Sequence, residues 1–176
     1  MVMENKRKLE FGEIKIGKTG IFVSDPCYTK YNGANIHLIA KDGIYKTFAE
    51  KSEIPFWGDR VISISIVHTD YIDKIESMCK EYIDDIGVDS GTAGIFDNHY
   101  YSKYHTINDI NEEWYNKYIC TELDDIAIFD KKSIVSSAGI GDGSYGVYGV
   151  YDENDKIVAL TIEYLDDDYF DDEDDE

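Results

Sequence analysis

The chain has 176 residues, a length that suits one domain with a short tail. Hydrophobic residues make up 43% of the chain, which is enough to bury a core of ordinary size. Acidic residues outnumber basic ones by 37 to 17, which gives a formal net charge of −20. Because there is no basic surplus to neutralise phosphates, we expect neither direct nucleic-acid binding nor docking on anionic membranes.

No linker divides the chain into separate units. We expect one continuous domain over residues 11–165, preceded by a lead of residues 1–10 and followed by an acidic tail of residues 166–176. Nine of the eleven tail residues are acidic, so the tail is not expected to fold on its own. The three cysteines lie far apart, and we see neither a signal peptide nor a membrane-spanning run, which predicts free thiols in the cytoplasm.

Short apolar and alternating runs predict strands in the first half of the chain. They are Glu13–Ile16, Gly20–Ser24, Asn35–Ala40, Ile44–Ala49 and Val61–Val67. The last run alternates so that Ile62, Ile64 and Ile66 lie on one face. The next segment, Asp70–Ile86, has apolar residues at helical spacing, which predicts a helix. The helical residues expected to share a core with these isoleucines are Ile75, Met78, Tyr82 and Ile86.

The second half of the chain continues this mixture of elements. A strand is expected at Gly94–Phe96, a helix at about Ile107–Ile119 and a further strand at Ile126–Phe129. The runs Ser144–Tyr151 and Lys156–Leu165 are separated by turn residues and should form a hairpin. Many strands with few helices predict an α+β fold, a mostly antiparallel sheet or sandwich with two helices in a single domain.

Three short segments place an aspartate beside residues that permit a tight turn. They read Ser-Asp-Pro-Cys-Tyr at residues 24–28, Val-Asp-Ser-Gly-Thr-Ala-Gly-Ile-Phe-Asp at residues 88–97 and Gly-Asp-Gly-Ser-Tyr at residues 141–145. Their order resembles the bacterial uncharacterised domain family 4241, and the resemblance spans most of residues 24–165. It implies a shared fold and no established activity. Members of that family tend to have proline after the last motif, where this chain has Gly146, so the final hairpin should begin more loosely here.

The motif side chains could converge at one end of the sheet. Their carboxylates would then bind a divalent cation, or their hydroxyls and backbone N–H groups would hold a small ligand. The candidate ligand-binding residues are Asp25, Tyr28, Asp89, Ser90, Asp97, Asp142, Ser144 and Tyr145. The alternative is that aspartate and glycine only cap turns and helix ends. No cofactor is predicted beyond a divalent cation at these carboxylates, and no set of metal ligands can be named.

Cys27 is a candidate of another kind, a nucleophile activated by His99 or His105. The sequence shows no base beside this cysteine, so the alternative is a small buried thiol at a strand end. Phosphate-binding, dinucleotide-binding and nucleophile-elbow motifs are absent from the sequence. The net charge of −20 is the feature of the sequence farthest from average, and it favours a binding protein over an enzyme.

The acidic tail suggests what such a protein would bind. Tyr169 and Phe170 interrupt its acids, and this aromatic pair either anchors the tail on a basic surface or ends the last strand. The candidate partner-binding residues are Asp166, Asp167, Asp168, Tyr169, Phe170, Asp171 and Asp172. We expect a non-enzymatic inhibitor of a basic protein, either a nucleic-acid-binding protein blocked by phosphate mimicry or a toxin. The alternative is an enzyme, or a small-ligand or metal sensor, that uses the motif aspartates.

Overall fold

The computed structural model describes residues 3–105, 111–118 and 125–169. In chain order its strands are β1 (Glu4–Ile16), β2 (Ile21–Ser24), β3 (Ile36–Leu38), β4 (Gly43–Ile54), β5 (Gly58–His68), β6 (Glu81–Val88), β7 (Thr92–Asp97), β8 (Ile126–Phe129), β9 (Ser133–Ser137), β10 (Gly143–Tyr151) and β11 (Ile157–Glu163). Its helices are α1 (Asn98–Lys103) and α2 (Glu112–Tyr118). Two short 3-10 turns, Thr69–Tyr71 and Ile75–Ser77, lie between β5 and β6.

The strands form two sheets. The six-stranded sheet has the spatial order β1-β4-β5-β11-β10-β6, and the five-stranded sheet has the order β3-β2-β7-β9-β8. The paired strands run antiparallel. An isolated parallel bridge between Ala40 and Ile157 ties the segment after β3 to the start of β11. This sandwich-like arrangement with two helices confirms the predicted mostly antiparallel fold, and it fits the α+β class.

The main core lies between the two sheets and is largely aliphatic. Ile64 and Ile66 of β5 belong to the same buried cluster as Ile95 of β7 and Ile134 of β9, and all four are fully buried. The alternation predicted for Val61–Val67 is thus confirmed, since its isoleucines face the core. The serines between them face the opposite side of the six-stranded sheet.

The prediction of a helix over Asp70–Ile86 is wrong. The segment instead makes the two 3-10 turns and then β6, which pairs with β10 as the last strand of its sheet. Ile75 and Met78 pack on the outer face of that sheet. Ile86 joins the core between the sheets, whereas Tyr82 is 57% exposed. The hydrogen bonds that β10 offers, together with the alternate burial of Ile86 and Val88, outweigh the helical spacing of the apolar residues.

The two helices cover the outer face of the five-stranded sheet. Tyr100 and Tyr101 of α1 and Trp114 and Tyr118 of α2 form an aromatic cluster over Phe96. The helix predicted at about Ile107–Ile119 is confirmed over the residues of α2. Ile107, Ile110 and Ile119 lie outside the described residues. Neither helix in the described part of the chain has the length and hydrophobicity needed to cross a lipid bilayer.

The remaining strands differ from the predictions mainly in length. The final hairpin is confirmed, and the carboxylate of Asp152 closes its turn by accepting bonds from the backbone N–H groups of Asn154 at 2.8 Å and Lys156 at 3.0 Å. β1 begins at Glu4, within the residues predicted to be a lead. The sequence pattern did not reveal this part of β1, because it is an edge strand whose exposed side chains show no apolar alternation. α1 and β9 were not predicted.

Candidate functional site

Asp25 connects the first two motifs. It follows β2, is fully buried, and its Oδ2 accepts bonds from the backbone N–H groups of Asp89 and Ser90, both at 2.8 Å. Its Oδ1 accepts from the backbone N–H of Cys27 at 2.7 Å and from the Ser90 hydroxyl at 2.7 Å. Four donors therefore surround the carboxylate, which compensates for its removal from water. Asp25 ties the loop after β2 to the turn between β6 and β7.

The same pair of loops is joined at the surface by a second contact. The phenol of Tyr28 donates a hydrogen bond to the carboxylate of Asp89. Burial, followed by this hydrogen bond and the charge of Asp89, raises the pKa of Tyr28, so the phenol remains a donor at neutral pH. Side chains of both helices also hold the backbone of the loop after β2. Tyr101 donates to the carbonyl of Tyr28, and Trp114 Nε1 donates to the carbonyl of Pro26 at 2.9 Å.

The third motif lies next to the second. Asp142 Oδ1 is 4.0 Å from the position that a Cβ on Gly91 would occupy, so the two turns are neighbours. Tyr145 is buried and donates from its phenol to the carbonyl of Gly141 at 2.6 Å, which closes its own loop. Ser144 is exposed and lies 3.5 Å from Asp85 of β6. The structure thus brings Asp25, Tyr28, Asp89 and Ser90 together, with the third motif at their side.

Asp97 does not join this group. It lies at the far end of β7, where its Oδ1 accepts from the backbone N–H of Tyr100 at 2.8 Å and caps the start of α1. Its Oδ2 accepts from the backbone N–H of Gly17 at 2.7 Å. Ser24 pairs with Gly94, three residues away along the same strand, so Asp97 and Asp25 sit at opposite ends of the β2–β7 pair. Asp97 is a structural cap.

The motif loops hold no set of metal ligands in the described residues. No three His, Cys, Asp or Glu side chains there are arranged to bind a metal ion. The carboxylate of Asp25 is already occupied by four hydrogen bonds within the protein. The geometry of the motifs is therefore that of a structural brace.

Cys27 lies against this brace and has the electrostatics of an inert thiol. Burial, followed by hydrogen bonding to Asp25 and the charges of Asp25 and Asp89, raises the pKa of Cys27 to about 12. A nucleophilic cysteine needs the opposite environment, in which a neighbouring cation lowers the pKa. His105 stacks on Tyr101, and His99 is exposed at the start of α1.

A second surface feature lies on β6, in the segment where the sequence predicted a helix. The exposed residues Glu81, Tyr82, Asp84 and Asp85 of β6 form what we call the acidic edge of the six-stranded sheet. Tyr82 donates to Asp85 Oδ1 at 3.0 Å, and its ring contacts that of Tyr148 at 5.6 Å. In the sequence, the only signal for this edge is the alternation of Ile86 and Val88. That alternation is too short to indicate a strand against the helix that the preceding apolar spacing predicts.

The acidic edge is continuous with the start of the tail. Gly146 of β10 pairs with Asp85 of β6 on one side and with Glu163 of β11 on the other, and Asp166 lines the same shallow pocket as Tyr148 and Glu163. Burial, followed by the charges of Glu163, Asp166 and Asp85, raises the pKa of Tyr148. Asp167 turns the other way and pairs with Lys6 of β1 at 2.6 Å. Asp168 is exposed, and Tyr169 is 42% exposed. Of the other candidate partner-binding residues, Phe170, Asp171 and Asp172 lie outside the described residues.

Comparison with known proteins identifies the family. A family model described as "Protein of unknown function (DUF4241)" matches residues 15–162. The chain belongs to this family. No curated protein and no solved structure matches the chain. The family match includes all three motif segments and the acidic edge, whereas the tail lies beyond it.

Proposed function

We propose that this member of the family is a non-enzymatic protein that binds a basic partner protein through the acidic edge and the adjoining start of the tail. The observation that supports this most directly is strand pairing, which places Asp85 and Glu163 on either side of Gly146, together with a shallow pocket that Asp166 lines beside Tyr148 and Glu163. Carboxylates from β6, β11 and the tail thus share one surface, on a chain whose net charge is −20. Such a surface attracts cationic proteins and repels anionic ones.

Aromatic side chains supply the contact area that charge alone does not. Tyr82 is 57% exposed and its ring meets that of Tyr148, so the two tyrosines present apolar surface between the carboxylates. Tyrosine is among the residues that carry most of the binding energy in protein interfaces. Acids around a pair of tyrosines therefore suit the capture of arginine and lysine side chains.

The contact we propose uses side chains and does not add a strand to β6. The pairing of β6 with β10 shifts register between Asp84 and Tyr82, which marks a bulge at Ile83. The carboxylate of Asp84 accepts from the backbone N–H of Asp85 at 2.8 Å and so occupies one donor of the free edge. Bulges and charged side chains are devices that protect edge strands from pairing.

The partner we propose is a nucleic-acid-binding protein, whose phosphate-binding groove the carboxylates would fill, or a basic toxin. Both partners present clustered lysine and arginine side chains to their natural target. The unpaired thiols of Cys27 and Cys79 are consistent with the reducing cytoplasm, which we propose as the location.

The test asks whether binding depends on where the negative charges lie or only on the net charge of the protein. The double variant Asp84→Asn with Asp85→Asn should lose most of its binding to a basic protein captured by the full chain. The matched control, Glu153→Gln with Asp155→Asn in the exposed turn between β10 and β11, makes the same change in net charge and should bind as the wild type does. Binding is measured by surface kinetics with the purified partner at two salt concentrations. Equal weakening in both variants would mean that only net charge matters, and the proposed surface would be rejected.

A further inference from the structure

A groove lies on the outer face of the six-stranded sheet, away from the motif loops. The segment between β5 and β6 crosses part of this face and forms one wall through Ile75 and Met78. The groove has a volume of about 310 Å³, at the lower end of the range for pockets that bind small molecules. Its floor consists of outward-facing side chains of β4, β5, β10 and β11.

The floor is ordered in rows because strand pairing places partner residues side by side on one face. The first row is charged, since Ser63 pairs with Glu50 on one side and Glu163 on the other. The second row carries hydroxyls at its centre, where Ser65 pairs with Thr161, and aromatic rings at its ends, Phe48 and Tyr148. The third row is apolar over Val67, Ala159 and Val150. One end of the groove is therefore charged and the other apolar.

The floor also presents hydroxyl groups to the groove. Ser63 is 8% exposed, and Ser65 and Thr161 are partly exposed. These hydroxyls can donate to or accept from a ligand or water that enters the groove.

An ion pair lies at the charged end of the groove. Lys80 Nζ is 3.8 Å from Glu163 Oε2 and 5.0 Å from the centre of the Tyr148 ring. The distance is long for a hydrogen-bonded pair, so each ion retains capacity to bind a ligand group of the opposite charge. Lys8, whose Nζ lies 4.7 Å from the centre of the Phe48 ring, is a second cation on this side.

We propose that the groove binds a free amino acid with a large apolar side chain. The α-ammonium group would bind Glu163, the α-carboxylate would bind Lys80 and the hydroxyl of Ser63, and the side chain would lie over the apolar row beneath Ile75 and Met78. A neutral sugar would satisfy the hydroxyls but would use neither the ion pair nor the apolar row. The groove shares Glu163 and Tyr148 with the surface proposed to bind a basic partner, but its amino-acid ligand does not depend on that partner.

The first test uses the unmodified full chain and three matched probes. Phenylalanine should bind saturably, as measured by titration calorimetry and by NMR shifts confined to residues of the groove. Phenethylamine lacks the carboxylate and 3-phenylpropionate lacks the ammonium, so each should bind about tenfold more weakly because one charged contact is lost. Equal affinity for the three probes, stronger binding of methyl glucoside, or the absence of saturable binding of phenylalanine would each overturn the proposal.

The second test assigns the contacts to residues. Lys80→Gln and Glu163→Gln should each weaken phenylalanine binding about tenfold, since each removes one charged partner. The control variants Lys156→Gln and Glu153→Gln change the same residue types in the exposed turn between β10 and β11 and should leave binding unchanged. All four positions are partly or fully exposed, and thermal unfolding shows whether each variant is folded. Binding that survives both groove variants would place the ligand elsewhere and refute the assignment.

Discussion

At the scale of single residues, Asp25 shows how one buried carboxylate organises two loops. It accepts three backbone N–H bonds and one hydroxyl bond, and removing the carboxylate would leave these buried donors unsatisfied. We predict that Asp25→Ala lowers the free energy of unfolding by about 3 kcal/mol. The measurement is urea unfolding followed by circular dichroism.

The matched variant for Asp25 is Asp89→Ala. Asp89 is exposed and loses only the hydrogen bond from Tyr28, so its cost should stay below about 1 kcal/mol. If instead the two variants were equally stable, Asp25 would not be the brace described above. A preserved fold in Asp89→Ala also makes that variant suitable for asking whether the motif loops bind anything.

At the scale of elements, β6 is the decisive case, because its bulge changes which residues share a face. A helix or an uninterrupted strand would put Tyr82 and Ile86 on one face, whereas the bulge at Ile83 turns them apart, so that Tyr82 is exposed and Ile86 is completely buried. We predict that Ile86→Ala costs about 3 kcal/mol of unfolding free energy, while Tyr82→Ala costs less than about 1 kcal/mol. Urea unfolding of both variants measures this difference, and a comparable loss in both would indicate that the two residues share one face.

The sequence predicts the centre of the fold better than its edges. The strand Val61–Val67 and the final hairpin are recognisable because one face is buried and the turn chemistry is clear. β6 and the first part of β1, before the predicted Glu13–Ile16, are edge segments whose exposed acids and bases show little alternation, so local pattern could not identify them. The contact between Asp25 and Ser90 joins residues 65 positions apart, and only the pairing of β2 with β7 shows that their loops meet.

The candidate site shows a similar limit of local sequence patterns. Aspartates beside turn residues were recognisable as a group, but sequence cannot tell a carboxylate that caps backbone N–H groups from one that is available to a ligand. Asp97 illustrates this, since its role as the N-cap of α1 depends on a helix that the sequence did not predict. The groove on the outer face was missed because its rows come from four strands that are distant in the chain.

At the scale of the whole molecule, charge is distributed unevenly, and this should appear in binding kinetics. Six of the nine tail acids follow Tyr169 in the sequence, beyond the acids that converge on Tyr148. We predict that deleting residues 170–176 slows association with a basic partner severalfold at 0.1 M salt and changes dissociation little, because peripheral charges mainly steer encounter. Tyr82→Ser should do the reverse and speed dissociation, since it removes an exposed aromatic contact while leaving every charge in place.

Salt concentration provides the control for both variants. The Debye length falls from about 10 Å at 0.1 M to about 3 Å at 1 M, so steering by the tail should vanish at high salt. The truncated and full chains should then associate at the same rate, whereas the faster dissociation of Tyr82→Ser should persist. Surface-immobilised kinetics at the two concentrations measures each rate separately. A truncation that accelerates dissociation at both concentrations would show that the tail is part of the bound interface, which would then have to include residues beyond Tyr169.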